Sequence, residues 1–179
     1  MEINEMQAIL EAIIYVADDP VKADQLKEVF PEDTVATIEK ALQSMMESFN
    51  TRPGGMLIRE VAGGYRMTTR PEHHEQIRAY LKTRPNAKLS MAALETLAVV
   101  AYKQPVTLAE ILAIRGKKSS TALQTLLEKK MVCIQGRKAV VGRPILYGTS
   151  KEFLIHFGLN GLADLPTLEE FAQLASEQQ

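Results

Sequence analysis

The chain has 179 residues, of which 46% are hydrophobic and 24% charged, with one cysteine, no tryptophan and a formal net charge of -1 at pH 7. This length fits one domain or two small ones, and the apolar fraction excludes wholesale disorder. No apolar run approaches the roughly 20 residues that span a bilayer, and the acidic start at residues 1–5 is unlike a secretory signal. The composition therefore predicts a soluble, cytoplasmic protein that does not associate with membranes.

Charge is unevenly distributed along the chain. Residues 1–88 carry a net charge of -3, residues 89–151 a net charge of +7 and residues 152–179 a net charge of -5. The basic middle keeps nucleic acid among the candidate partners, whereas the acidic ends argue against the whole chain coating DNA.

The sequence of the first half predicts three helices followed by a hairpin. Apolar residues recur at helical spacing in three segments, and Thr34 is a typical N-cap for the third. Apolar and polar residues then alternate on both sides of Gly63-Gly64, a pattern typical of a hairpin turn. In chain order, the predicted elements are helices over residues 3–17, 21–30 and 34–49, strands over 56–62 and 65–69, and a helix over 71–82.

The second half repeats this order after a polar linker at residues 83–88. Capping-box sequences are predicted at Thr107–Glu110, Thr149–Glu152 and Thr167–Glu170, each before an apolar run. The predicted elements are a helix over residues 89–102, a short helix from Thr107, a third helix from Ser119 or Ser120, a strand over 131–135, a basic loop over 136–144 and a strand over 145–149.

Three helices followed by a two-stranded hairpin is the winged-helix plan. We therefore predict a mainly α fold with small β wings, built as two tandem winged-helix domains over residues 1–84 and 85–166, with a C-terminal helix or tail over 167–179. Because each unit is small, we expect it to be stabilised by docking or by dimerisation.

The sequence contains few motifs that are typical of enzymes. No Gly-rich phosphate loop is present, and His73 and His74 lack the cysteine or carboxylate neighbours of a metal site. Glu11 and Glu95 are better interpreted as partners of nearby Lys or Arg than as general acids. Cys133 lies in an apolar stretch and is predicted to be a buried core thiol. The sequence therefore predicts a binding protein without catalytic residues, metal or cofactor.

Two features indicate binding. The leading helices, predicted over residues 3–17 and 89–102, are apolar on more than one face at residues 9–16 and 94–102. Each either packs between the two units or meets another chain. Six basic residues lie near the third helix and the wing of the second unit. Arg115, Lys117 and Lys118 precede the helix, and the wing contains Arg137, Lys138 and Arg143. These cations would suit a DNA contact, an acidic protein partner or a solvated loop. The third helix, over residues 121–128, is poor in base-reading Arg and Asn, so weak backbone contact or none is favoured over sequence-specific reading.

Ordered motifs in the second half resemble a known family. The motifs are Leu89–Thr107, Ile114-Arg115-Gly116, Gly136-Arg137-Lys138, Gly142–Thr149, Phe157-Gly158-Leu159 and Asp164-Leu165-Pro166. Together they resemble bacterial segregation and condensation protein B, with departures at Val141, where the family usually has Pro, and at Lys117-Lys118.

The resemblance implies a non-enzymatic accessory subunit of the bacterial SMC condensin complex. Such proteins dimerise through their N-terminal winged-helix units, and the dimer binds the kleisin ScpA. The kleisin in turn bridges the heads of the SMC ATPase. The implied role is chromosome condensation and segregation during cell division, in the cytoplasm at the nucleoid. The rival class is a winged-helix DNA-binding transcriptional regulator.

For the individual residues, we place the homodimer interface on the first helix, with help from the helix over 34–49; its residues are Ile3, Met6, Ile9, Leu10, Ile13 and Ile14. The resemblance places kleisin binding in the second unit, at Tyr102, Arg115, Arg137, Arg143 and Tyr147. Gly142-Arg143-Pro144 and Tyr147 would equally suit a role in shaping the wing or in satisfying core hydrogen bonds.

Overall fold

The computed structural model describes residues 3–81, 89–116, 119–167 and 170. The chain divides into two compact units, Met1–Pro85 with Leu159–Gly161 and Asn86–Gly158 with Leu162–Gln179. Residues 159–161 were predicted to lie in the second domain, but their hydrogen bonds are made in the first unit. The amide of Ala62 donates to the Leu159 carbonyl at 2.9 Å, and the amide of Gly63 donates to the Asn160 side chain at 2.8 Å.

The first unit contains helical segments followed by an antiparallel hairpin. In chain order its elements are α1 (Ile3–Val16), a 3-10 turn (Gln25–Glu28), α2 (Val35–Thr51), β1 (Met56–Val61), β2 (Gly64–Thr69), a 3-10 turn (Pro71–His73) and α3 (His74–Leu81). Thr34 caps α2, as predicted, by accepting a hydrogen bond from the amide of Thr37. The core is apolar and its fully buried side chains include Leu10, Ile14, Ile38, Leu42, Met45 and Ile58.

The predicted helix over residues 21–30 is wrong in extent, because only the 3-10 turn at Gln25–Glu28 is helical. Val21 is instead in an extended bridge with Tyr65 of β2. Its amide donates to the Tyr65 carbonyl at 2.9 Å and its carbonyl accepts from the Tyr65 amide at 2.8 Å. Because both backbone groups of Val21 are paired with a strand, the chain there is not free to form a helical turn.

The hairpin turn lies one residue earlier than predicted. Val61 pairs with Gly64, so the two turn residues are Ala62 and Gly63, both with positive φ, at 53° and 74°. Gly64 belongs to β2, and a Cβ there would lie 2.9 Å from the backbone of Pro20 and Val21. Gly64 therefore allows the close approach of the Val21 bridge rather than forming the turn.

The second unit repeats the plan with a third strand. Its elements are α4 (Met91–Lys103), β3 (Val106–Thr107), α5 (Leu108–Arg115), α6 (Ser119–Glu128), β4 (Val132–Arg137), β5 (Ile145–Thr149), α7 (Lys151–Phe157) and a 3-10 turn (Leu162–Asp164). The strands form an antiparallel sheet in the order β3-β5-β4. Strand β3 was not predicted from the sequence; it has two residues and pairs with Tyr147 and Leu146 far along the chain.

The predicted caps were largely correct. Thr107 and Glu110 form the capping box of α5, and Thr167 and Glu170 exchange the same two hydrogen bonds. The second box was predicted to begin at Thr149, but the N-cap of α7 is Ser150, whose hydroxyl accepts from the Phe153 amide at 3.1 Å. Thr149 does not serve as the cap because it still pairs with Val132 in the sheet.

Three helical segments followed by a β hairpin in each unit confirm the predicted fold class, two tandem winged-helix units with small β wings. The predicted linker over residues 83–88, Lys117-Lys118 and most of the C-terminal tail lie outside the described residues. Within the described part of the chain, no helix is both long enough and apolar enough to span a membrane.

Candidate protein-interaction surfaces

Helix α1 presents one face to the core of the first unit and another to solvent. Met6, Leu10 and Ile14 recur at every fourth position and are 4%, 0% and 2% exposed. These three predicted interface residues are therefore core residues, because a side chain buried in its own unit offers no surface to a partner. Of the remaining three, Ile9 and Ile13 are half-buried and Ile3 is 70% exposed.

The solvent face of α1 includes residues that the interface prediction did not contain. Tyr15 and Val16 are both 74% exposed. Ala8, Ala12 and Tyr15 follow the i, i+4, i+7 spacing of a single helix face. The signal was present in the sequence, since the core face at residues 6, 10 and 14 leaves this face pointing outward.

A shallow groove of about 470 Å³ lies beside this face, and its lining is mostly apolar: Ala8, Glu11, Ala12, Tyr15, Phe49, Met56 and Met67. The two alanines are small and so leave space next to the larger side chains. Arg52 forms a polar rim, because its guanidinium lies 3.2 Å from the Glu11 carboxylate and 5.3 Å from the centre of the Phe49 ring. The predicted pairing of Glu11 with a basic residue is thus confirmed.

A second, polar cavity of about 420 Å³ lies between α2 and the hairpin of the first unit. Its lining includes Glu39, Lys40, Glu60, Tyr65 and Asn160. The pKa of Tyr65 is raised to about 12. Burial of the phenol is the largest cause, and the nearby charge of Glu60 is the second. The phenol is therefore neutral at physiological pH. No motif in the sequence indicated this cavity.

Two of the predicted kleisin-binding residues in the second unit make contacts within that unit. Tyr102 is 36% exposed, and its hydroxyl donates to the Pro166 carbonyl at 2.7 Å. The Arg115 guanidinium forms an ion pair with the Glu95 carboxylate, which confirms the predicted role of Glu95. Arg115 therefore offers a partner less free charge than the sequence suggested.

Tyr147 is a buried residue of the wing, with 8% of its surface exposed. It lies on the central strand β5, opposite Val106 on one side and Ile134 on the other. Because so little of its surface is exposed, its prediction as a partner-binding residue is corrected in favour of the alternative, a residue that shapes the wing.

The tip of the second unit's wing is ordered by its own hydrogen bonds. The amide of Arg143 donates to the Val140 carbonyl at 2.9 Å, and the amide of Lys138 donates to the Pro144 carbonyl at 2.9 Å. The Arg137 guanidinium donates to the Arg143 carbonyl at 3.1 Å. This turn leaves Val140 half-exposed and Val141 fully exposed. The structure thus brings Arg137 and Arg143 together around an apolar tip.

A carboxylate connects this wing to helix α5. The Lys138 ammonium lies 2.7 Å from a Glu110 carboxylate oxygen, and the other carboxylate oxygen accepts from the Thr107 amide at 2.7 Å. The pKa of Glu110 is lowered to about 2. The hydrogen bond from Lys138 is the largest cause, and the hydrogen bonds from Thr107 come next. The capping box of α5 is therefore also the anchor of the wing.

Cys133 is partly buried rather than fully buried as predicted, and its thiol lies 3.5 Å from the Thr149 carbonyl. Among the described residues, no three His, Cys, Asp or Glu side chains are grouped in a way that could hold a metal ion.

These features define a class of protein: a tandem winged-helix protein with an exposed apolar helix face in one unit and an ordered, basic wing in the other. Residues 8–168 match the family model described as segregation and condensation complex subunit ScpB. The chain belongs to the segregation and condensation protein B family.

Relatives that carry this family name match along nearly the whole chain. Segregation and condensation protein B of Syntrophotalea carbinolica is 44% identical over 179 residues, covering 100% of this chain and 90% of the relative. The protein of the same name from Clostridium tetani is 41% identical over 179 residues, covering 99% and 94%.

Two solved structures were also similar. ScpB from Mycobacterium tuberculosis is 35% identical, covering 89% of this chain and 98% of that one, with a TM-score of 0.42. A dimer of an ScpB N-terminal domain complexed with ScpA peptide is 19% identical, covering 44% of this chain and 96% of that one, with a TM-score of 0.40.

Proposed function

We propose that this chain is a non-enzymatic accessory subunit of an SMC condensin complex, a homodimer that binds the kleisin ScpA and so supports chromosome condensation and segregation. The observation that carries this proposal is the family match over residues 8–168. Contact with the SMC ATPase is made through the kleisin. The surfaces described above fit these roles, and each suggests a set of residues that differs in part from the set predicted from the sequence.

The solvent face of α1 is the proposed dimer interface. A symmetric dimer uses the same patch on both partners, so the patch has to be self-complementary. The face offers both a projecting ring at Tyr15, 74% exposed, and an adjoining apolar groove floored by Ala8 and Ala12. Ile3 and Val16 extend the apolar surface at either end of the helix.

The tip of the second unit's wing is the proposed binding site for the kleisin. Val140 and Val141 form an exposed apolar anchor, and Arg137 and Arg143 lie on either side of it in the turn. Arginine is enriched where proteins meet. This combination suits a segment of the kleisin that carries apolar residues next to carboxylates.

Charge reversal at the wing tests the kleisin site. We expect Arg137→Glu with Arg143→Glu to weaken binding of the central ScpA segment about tenfold or more, because like charges would meet at the contact. Isothermal titration calorimetry gives the affinity, and circular dichroism checks the fold. Arg143→Glu alone is a second variant, since the Arg137 guanidinium bonds the carbonyl of residue 143 and not its side chain.

The hairpin of the first unit offers a matched control. Arg59 and Arg66 pair across β1 and β2, so Arg59→Glu with Arg66→Glu makes the same change in charge on the other wing. This control is expected to leave ScpA binding unchanged. Unchanged affinity in the variants of Arg137 and Arg143 would remove both residues from the kleisin site.

A further inference from the structure

Four exposed lysines lie at the end of the second unit's sheet that is remote from the wing tip. They are Lys103, Lys129, Lys130 and Lys151, and we refer to them as the lysine cluster. At this end β4 begins and β5 ends, whereas the wing tip joins the other ends of the same two strands. The lysine cluster is therefore a surface separate from the proposed kleisin site.

Two of these lysines lie next to the last pair of the ladder. Val132 pairs with Thr149; Lys130 lies in the turn before β4, and Lys151 begins α7 after β5. The Ser150 hydroxyl donates to the Lys130 carbonyl, and the Ser150 amide donates to the Met131 carbonyl at 3.2 Å. These bonds hold the turn at Lys130 beside the start of α7 at Lys151.

The other two lysines are fixed to the same junction. Lys103 is the last residue of α4, and the next residue, Gln104, accepts a hydrogen bond from the Thr149 amide at 2.8 Å and donates one to the Thr149 hydroxyl at 3.0 Å. The amide of Lys129 donates to the Thr125 carbonyl at 3.0 Å, which holds it at the end of α6. These hydrogen bonds hold Lys103, Lys130 and Lys151 next to the same end of the sheet, and Lys129 directly precedes Lys130 in the chain.

Cations outnumber anions in the sequence around the lysine cluster. Residues 89–151 contain three acidic and ten basic residues, and four of the ten form the cluster. Two of the three, Glu95 and Glu110, form ion pairs with Arg115 and Lys138, away from the lysine cluster. Glu128 and Glu152 are the acidic residues next in sequence to the cluster, so four lysines outnumber them.

We propose that the lysine cluster binds the sugar–phosphate backbone of duplex DNA without reading its sequence. Lysine is a mobile, strongly hydrated point charge that suits phosphate, and it is depleted from the cores of protein interfaces. The residues between the lysines offer no apolar anchor, since Met131 is partly buried and Val132 is buried. The inference rests on the proposed function in one respect, that a subunit of a chromosome-condensing complex works beside DNA.

The test is fluorescence anisotropy of a labelled short duplex of random sequence, titrated with the full chain at several salt concentrations. Each neutralised phosphate contributes about -0.9 to the slope of log affinity against log salt, so four contacts give about -3.6. We expect the Lys→Gln variant at all four positions to bind at least about tenfold more weakly at low salt, with a slope shallower by about 3.6. The matching Lys→Arg variant keeps the charge and is expected to keep the affinity.

Arg137→Gln with Arg143→Gln separates the two proposals, since it is expected to weaken ScpA binding and to leave duplex binding nearly intact. No duplex binding by the unmodified chain at low salt would overturn the DNA proposal, as would duplex binding that the four Lys→Gln changes leave unaltered. Loss of ScpA binding in the Lys→Gln variant would overturn it too, and would identify an acidic protein as the partner. Failure of the unmodified chain to bind ScpA would count against the proposed function alone.

Discussion

At the scale of single residues, the second unit uses one carboxylate to connect a helix and a wing. Glu110 completes the capping box of α5 with one oxygen and pairs with Lys138 of the wing with the other. The sequence predicted the capping box, because both of its members lie within four residues. It could not predict the partner at Lys138, which is 28 residues away in the chain.

The lowered pKa of Glu110 predicts a pH dependence. Because the folded-state pKa of about 2 lies below the ordinary value of 4.5, the stabilisation is fully present above about pH 4.5 and is lost as the pH falls towards 2. We expect Glu110→Gln to lower the Tm at neutral pH, with the difference from the unmodified chain shrinking across this window. Thermal denaturation followed by circular dichroism measures it.

Lys138→Gln is the companion variant, because it removes the largest cause of the lowered pKa. In this variant the loss of stability on acidification is expected to be smaller and to be complete at a higher pH, closer to the ordinary pKa of a carboxyl. A difference in Tm between Glu110→Gln and the unmodified chain that stays constant from pH 7 to about pH 2 would contradict this role of Glu110.

At the scale of elements, the sequence predicted what depends on local pattern and missed what depends on distant pairing. Helices α1, α2 and α4 were predicted nearly to their ends, because their apolar periodicity and caps are local signals. The bridge between Val21 and Tyr65 and strand β3 were missed, since each exists only through a partner about 40 residues away.

The same limit applied to the candidate sites. The apolar composition of α1 indicated more than one packed face, but the choice between faces depends on where α2 and the hairpin pack. Met6, Leu10 and Ile14 are therefore core residues, while Tyr15 and Val16 are exposed. Tyr147 is 8% exposed, and its burial was missed because it depends on tertiary packing that the local sequence pattern does not contain.

The close approach at Gly64 gives a prediction about the first unit's hairpin. We expect Gly64→Ala to lower the free energy of unfolding by about 1–3 kcal/mol, because the new Cβ would collide with the backbone at Pro20 and Val21. Gly54→Ala is the matched control; a Cβ at Gly54 would meet no atom within 4 Å, and its effect is expected to stay within about 0.5 kcal/mol. Urea denaturation gives both values, and equal stability of the two variants would contradict the role of Gly64.

At the scale of the whole molecule, charge and apolar surface are divided between the two units. The first unit, acidic in sequence, carries the exposed face of α1 that fits a second copy. The second unit, whose segment 89–151 has a net charge of +7, carries both the wing proposed to bind the kleisin and the lysine cluster proposed to bind DNA. The two units thus share one fold plan, while their exposed side chains suit different partners.

The central claim is that the chain is a dimer that captures the kleisin, and light scattering of the purified protein tests it most directly. We predict twice the mass of one chain for the protein alone, a further gain on adding the central ScpA segment, and the mass of one chain for Tyr15→Glu, because a charge would be buried in the dimer interface. A protein that has the mass of one chain and gains none with the ScpA segment would contradict the claim.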